Sequence, residues 1–281
     1  MKNTLFSSIF LLIITQTFGQ TISDYPFEVE KSGNGNRTIV LIPGFACSGE
    51  VWAETKSVYG KDFTCYTLTM AGFADAEPSL NPNFENWKTG ITNFIKEKNI
   101  EKPILIGHSM GGGLAMAIAA DYPELIEKIV VVDALPCLQA LMNPNFKQQE
   151  NIDCSATVNQ IKHLTEEQFL QMQKMSMPQL IQNTEMLETV VNWSLQSDRQ
   201  TFAKMYCDFS NTDLREKIAA VKCPTLVLLE SNFKNFKSAI EEQYKNLESA
   251  NLQYANKGLH FIMYDDKEWY FEQLSNFLAN D

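Results

Sequence analysis

Short runs of almost purely apolar, β-branched residues alternate with helical patterns along most of this chain. The strand-like runs fall at residues 38–42, 63–70, 103–106, 129–132, 225–229 and, more weakly, 252–255. Helical patterns lie at 83–98, 111–121, 237–249 and 267–279. A strand without polar alternation is buried on both faces, so this order predicts an α/β fold with a mostly parallel, doubly wound sheet flanked by helices. The alternation breaks between about residues 136 and 212. That stretch reads as helical and holds six of the eleven methionines. It is expected to be a cap inserted into a core made of residues 20–135 and 213–281.

Residues 1–19 read as an address. Lys2 supplies a positive charge, residues 5–14 are apolar, and Thr17 and Gly19 stand at the −3 and −1 positions of a cut before Gln20. This pattern predicts a secretory signal peptide and an exported product, periplasmic or secreted. The apolar stretch is shorter than the roughly 20 residues a spanning helix needs, and no cysteine follows it, so no stable membrane anchor is expected. Against 23 Lys and Arg stand 34 Asp and Glu, a formal net charge of −11. With no basic run to offset that charge, nucleic acid is excluded as a partner. Nothing in the sequence sets the oligomeric state. The six cysteines form no C-x-x-C pair, and with three histidines there is no zinc pattern. No dinucleotide or phosphate-binding fingerprint occurs either, so neither a metal nor a cofactor is expected. Cys65 and Cys223 are expected as buried thiols, while Cys137, Cys154 and Cys207 could staple the helical segment.

Gly107-His108-Ser109-Met110-Gly111 concentrates the chemistry. An apolar strand runs directly into it, and small and apolar residues continue from it as a helix. In a strand–turn–helix of this kind, only small residues two positions either side of Ser109 let strand and helix approach, and the hydroxyl is pushed clear of the sheet edge. The helix begins at once, so the Met110 N–H faces outward without an acceptor, at the positive end of the helix dipole.

On these residues the chain resembles the α/β-hydrolase fold family, over most of its length after residue 20. The resemblance implies a serine esterase, lipase or lactonase, with Ser109 at the nucleophile elbow. The segment Leu41-Ile42-Pro43-Gly44-Phe45 occupies the place of the family's first oxyanion strand, with Pro43 where histidine is usual. Only a main-chain N–H is required there, so Phe45 and Met110 are the expected oxyanion donors. Of the three histidines, His108 sits inside the elbow and points away from its neighbour, and His163 lies in a polar part of the helical segment. His260, in Lys257-Gly258-Leu259-His260-Phe261 ahead of the last helix, matches the family's histidine and is the expected base.

The family's acid usually follows the strand at 225–229 in a G-x-x-D pattern, but here the chain reads Leu229-Glu230-Ser231-Asn232-Phe233. Asp133, at the end of the strand 129–132, is preferred as the acid, with Glu230 as the alternative. The apolar residues of the helical segment favour a partly apolar small substrate. The expected reaction is hydrolysis of an open-chain ester or a lactone through an acyl-serine. A non-catalytic ligand-binding protein on the same fold, an acyltransferase and a perhydrolase are the alternatives.

Overall fold

The computed structural model describes residues 25–279; the expected signal peptide at residues 1–19 lies outside the described residues. The expected doubly wound sheet is present and has seven strands: β1 (Phe27–Ser32), β2 (Arg37–Ile42), β3 (Phe63–Met70), β4 (Ile104–His108), β5 (Lys128–Val132), β6 (Thr225–Leu229) and β7 (Ala250–Tyr254). Their spatial order is β1-β3-β2-β4-β5-β6-β7. Every pairing is parallel except β1 with β3, where Phe27 lies opposite Met70.

Strand β1 was not expected from the sequence. It is an edge strand in which Phe27 alone is buried, and Glu28, Glu30 and Lys31 face water. Charged edges of this kind block pairing with a second chain and lack the apolar run that marks an inner strand. Along β2, Val40 and Ile42 pack into one core while Ile39 and Leu41 pack into the other. The two-residue period of a strand thus serves two helical layers.

Helices α1 (Ala53–Tyr59), α2 (Phe84–Glu97) and α3 (Met110–Asp121) follow β2, β3 and β4 in turn. Trp87, Ile91 and Phe94 of α2 share one core with Leu114 and Ile118 of α3. Tyr59 of α1 lies on the opposite face. Between β5 and β6 run α4 (Ser155–Lys162), α5 (Glu166–Ser176), α6 (Thr184–Gln196) and α7 (Arg199–Ser210). The remaining helices are α8 (Lys237–Tyr244), α9 (Ile262–Asp265) and α10 (Lys267–Ala279). Tyr270, Leu274 and Leu278 of α10 complete the second core. Helix α8 stops at Tyr244, five residues short of the expected end. A turn there bonds Leu247 N–H to the Tyr244 carbonyl, and β7 claims Ala250 opposite Thr225.

A disulfide joins Cys154, just before α4, to Cys207 on α7. Cys137 takes no part in it, contrary to one of the sequence-based options: it is a free, buried thiol, as are Cys47, Cys65 and Cys223. The Cys137 N–H donates to Gln243 of α8, which holds that residue in the sheet layer rather than beside α4. Among the described residues no helix is long and apolar enough to cross a membrane.

Candidate active site

In an open parallel sheet, ligands bind beyond the carboxyl ends of the strands, where the strand order reverses. Here the order reverses between β2 and β4, so that place lies beyond the ends of these two neighbouring strands. The register pairs His108 with Val132, so the next residues in line are Ser109 and Asp133. The ladder reaches both of them. Ser109 N–H donates to the Val132 carbonyl (2.8 Å), and Asp133 N–H donates to the Leu228 carbonyl (2.7 Å).

Ser109 adopts φ 52°, ψ −120°, a backbone conformation that costs a residue with a side chain roughly 1–3 kcal/mol. Close packing at the bend enforces it. A Cβ on Gly107 would overlap the Gly111 carbonyl, and one on Gly111 would overlap the main chain of Ile42 and Pro43. Met110 opens α3, so its N–H has no intrahelical acceptor. The Phe45 N–H likewise has no hydrogen bond among the described residues.

Asp133 is 3% exposed and engages both carboxylate oxygens. Oδ1 accepts the Glu230 main-chain N–H at 2.6 Å. Oδ2 lies 2.6 Å from His260 Nδ1, and this carboxylate is the proton acceptor the ring needs to hold its Nδ1–H tautomer. His260 Nε2 is then left with its lone pair. Ser109, His260 and Asp133 line one cavity of about 470 Å³ together with Phe45. Ser109 Oγ makes no hydrogen bond among the described residues. Contacts of this kind commonly tighten when substrate binds.

Of the two candidate acids, then, Asp133 is the one bonded to the histidine. Glu230 contributes only its main chain to that link, and its carboxylate has no hydrogen bond or ion pair among the described residues. Burial, followed by repulsion from Asp133, raises the Glu230 carboxyl to about 7 from an ordinary 4.5. Below about pH 4.5 both folded and unfolded chains carry this proton. Between 4.5 and 7 only the folded chain holds it, so stability falls as pH rises through that window, and the full cost remains above it. Glu230→Gln is therefore expected to melt higher than the wild type above pH 7. The difference should shrink as pH falls and vanish below about 4.5, as followed by thermal unfolding across pH.

His108 has a role the sequence did not reveal. It is 1% exposed, and its Nε2–H donates to the His260 carbonyl at 3.0 Å. The centroids of the two rings lie 4.6 Å apart, with their planes tilted by 47°. Burial pushes its pKa well below the ordinary histidine value, so it stays neutral and braces the loop that carries His260. Gly44 leaves room for that ring: a Cβ there would come within 2.6 Å of His108 Nδ1. Two aspartates fasten the same loop. Asp265 accepts from the Leu259 N–H (2.9 Å) and from Asn183 N–H (2.8 Å), which ties the loop to the start of α6. Asp266 accepts from the N–H groups of Asn256 and Lys257. His163 is far from this chemistry, exposed at the end of α4 and bonded to the Asn159 carbonyl.

The rest of the cavity wall is mostly apolar. Leu138, Leu141, Met177, Leu180 and Val190 of the segment between β5 and β6 line it, as do Phe233 and Phe261. Phe169, Phe202 and Met205 are buried within the core, and Met142 and Met175 face water. Among the described residues no group of three His, Cys, Asp or Glu side chains could hold a metal ion.

A model of the alpha/beta hydrolase fold matches residues 37–267, and the chain belongs to that family. Among curated proteins it is 23% identical over 204 residues to the pimeloyl-[acyl-carrier protein] methyl ester esterase of Aliivibrio fischeri, covering 69% of this chain and 74% of that one. Among solved structures, the enol-lactonase of Burkholderia xenovorans superposes with a TM-score of 0.75 at 16% identity, over 90% of this chain and 96% of that one. An esterase from Exiguobacterium antarcticum gives 0.74 at 15% identity, with the same coverage.

Proposed function

We propose that the protein is a serine hydrolase that cleaves a small, partly apolar carboxylic ester or lactone. The observation that carries this reading is the 2.6 Å contact between His260 Nδ1 and a buried Asp133, in the same cavity as the strained Ser109. Ser109 Oγ attacks the carbonyl carbon as its proton passes to His260 Nε2. The carbonyl oxygen becomes an oxyanion held by the N–H groups of Phe45 and Met110. Collapse of this intermediate breaks the bond to the leaving oxygen, which takes the proton from Nε2, and an acyl-serine remains. Water, deprotonated by the same nitrogen, attacks the acyl carbon, the bond to Ser109 Oγ breaks, Oγ takes the proton back from Nε2, and the acid leaves. Asp133 stays ionised throughout and fixes the ring. Each oxyanion donor is worth on the order of 10²–10³ in rate.

In this reading residues 136–212 act as a cap, and its apolar side chains over Ser109 select the substrate. The named activities of the relatives, a methyl ester esterase and an enol-lactonase, fit both open-chain and cyclic esters. A purely ligand-binding role is less well supported, because a buried carboxylate, Asp133, bonds His260 although the usual acid position lacks one. Export is proposed with it, supported by the sequence pattern of residues 1–19 and by the Cys154–Cys207 disulfide, a bond favoured in oxidising compartments. The test is a panel of short p-nitrophenyl esters, methyl esters and acyl-homoserine lactones. Hydrolysis by the wild type that is absent from Ser109→Ala is expected. No hydrolysis of any member by well-folded wild type would defeat the proposal.

A further inference from the structure

The cavity over Ser109 holds one charged group that the proposed reaction does not use. Glu230 stands one residue beyond β6, where the chain departs from the G-x-x-D pattern, and Phe233 beside it also lines the cavity. No lysine or arginine is among the lining residues, and the only other carboxylate there, Asp133, has both oxygens engaged. The Glu230 carboxyl is thus an unpaired acceptor in a mostly apolar wall, half-buried, and His260 is the only lining residue whose positive charge acts on it. An unpaired group of this kind discriminates between ligands. A ligand donor that reaches it gains a hydrogen bond of the charge-assisted type, whereas an apolar group leaves it desolvated and unpaired. Above pH 7, where Glu230 is ionised, a ligand carboxylate meets its like charge and that of Asp133.

We infer that Glu230 is the specificity-determining group of this pocket: it selects esters that carry a hydrogen-bond donor, a hydroxyl being the simplest, and turns away esters that carry a carboxylate. This rests on the hydrolase reading and refines its substrate class. The link from residue 230 to Asp133 runs through the main chain, so a side-chain substitution changes the wall while leaving the hold on the Asp133–His260 pair in place.

Two isosteric pairs test it: methyl 3-hydroxybutanoate against methyl 3-methylbutanoate, for a donor on the acyl side, and 2-hydroxyethyl butanoate against propyl butanoate, for one on the alcohol side. Monomethyl glutarate serves as the anionic probe. Wild type, Glu230→Gln and Glu230→Leu are compared by kcat/KM at a pH well above 7, where Glu230 is ionised, with circular dichroism and melting to check the fold. The wild type is expected to favour the hydroxyl member of at least one pair by about tenfold or more. Glu230→Leu should erase that preference, while Glu230→Gln, which keeps an acceptor oxygen, should retain part of it. Both variants should improve on monomethyl glutarate relative to the neutral esters. Equal ratios in wild type and Glu230→Leu for both pairs, with no gain on the anion, would overturn the inference and leave the hydrolase reading standing. If the wild type cleaves none of the five esters, the inference falls, and the ester and lactone panel above decides the hydrolase reading separately.

Discussion

Ser109→Ala is expected to lower ester turnover by about 10⁶-fold, the scale of loss when the nucleophile of a serine–histidine–acid unit is removed. The two oxyanion donors and the apolar wall remain, so substrate should still bind and a small residual rate above that of water should persist. Alanine carries the same Cβ at the same φ of 52°, so the bend keeps its strain and thermal stability should stay close to that of the wild type. The expected signature is a collapse of kcat with KM little moved, measured on whichever ester the wild type cleaves best. A variant that retains more than a few per cent of wild-type kcat would mean that another group attacks the carbonyl.

Asp133→Asn is expected to lower kcat by about 10⁴-fold, through the histidine tautomer rather than through charge alone. The main-chain N–H of Glu230 needs an oxygen opposite it. The new side chain will therefore present its oxygen to residue 230 and its NH₂ to His260 Nδ1. Nδ1 must then accept, the ring proton moves to Nε2, and Nε2 can no longer take a proton from Ser109. The left-handed backbone at residue 133, φ 48°, suits asparagine as well as aspartate, so the variant should fold. Glu230→Gln leaves the tautomer alone and should cost far less in kcat. The reverse ranking, a large loss for Glu230→Gln with Asp133→Asn still active, would assign the orienting carboxylate to residue 230.

What the sequence made legible follows from how directly each feature depends on local chemistry. Inner strands announce themselves because they are buried on both faces, and the elbow because its glycines are forced by close packing. His260 stands out because only three histidines exist and the resemblance places the base in the loop between the last strand and the last helix. The acid was harder: Asp133 and Glu230 both end strands, and only register decides which carboxylate reaches the ring. Strand β1 carries no such mark: Glu28, Glu30 and Lys31 interrupt it with charge, so it has no apolar run.

The supports of the His260 loop were likewise hidden. Asp265 and Asp266 look like ordinary acidic residues between two helices, yet their carboxylates bond main-chain N–H groups of residues 256, 257 and 259. The bracing role of His108 depends on a carbonyl 152 residues away. The Cys154–Cys207 bond was one option among three cysteines, and no spacing rule could have excluded Cys137.

Whether Ser109 is an activated nucleophile can be read without knowing the substrate. Folded wild type, Ser109→Ala and His260→Ala are treated with a fluorophosphonate probe, and the modified peptide is located by mass spectrometry. A working serine–histidine–aspartate unit gives stoichiometric labelling on Ser109 in the wild type, none in Ser109→Ala and a greatly slowed reaction in His260→Ala. Folded wild type that stays unlabelled, or that labels at the same rate without His260, would contradict it.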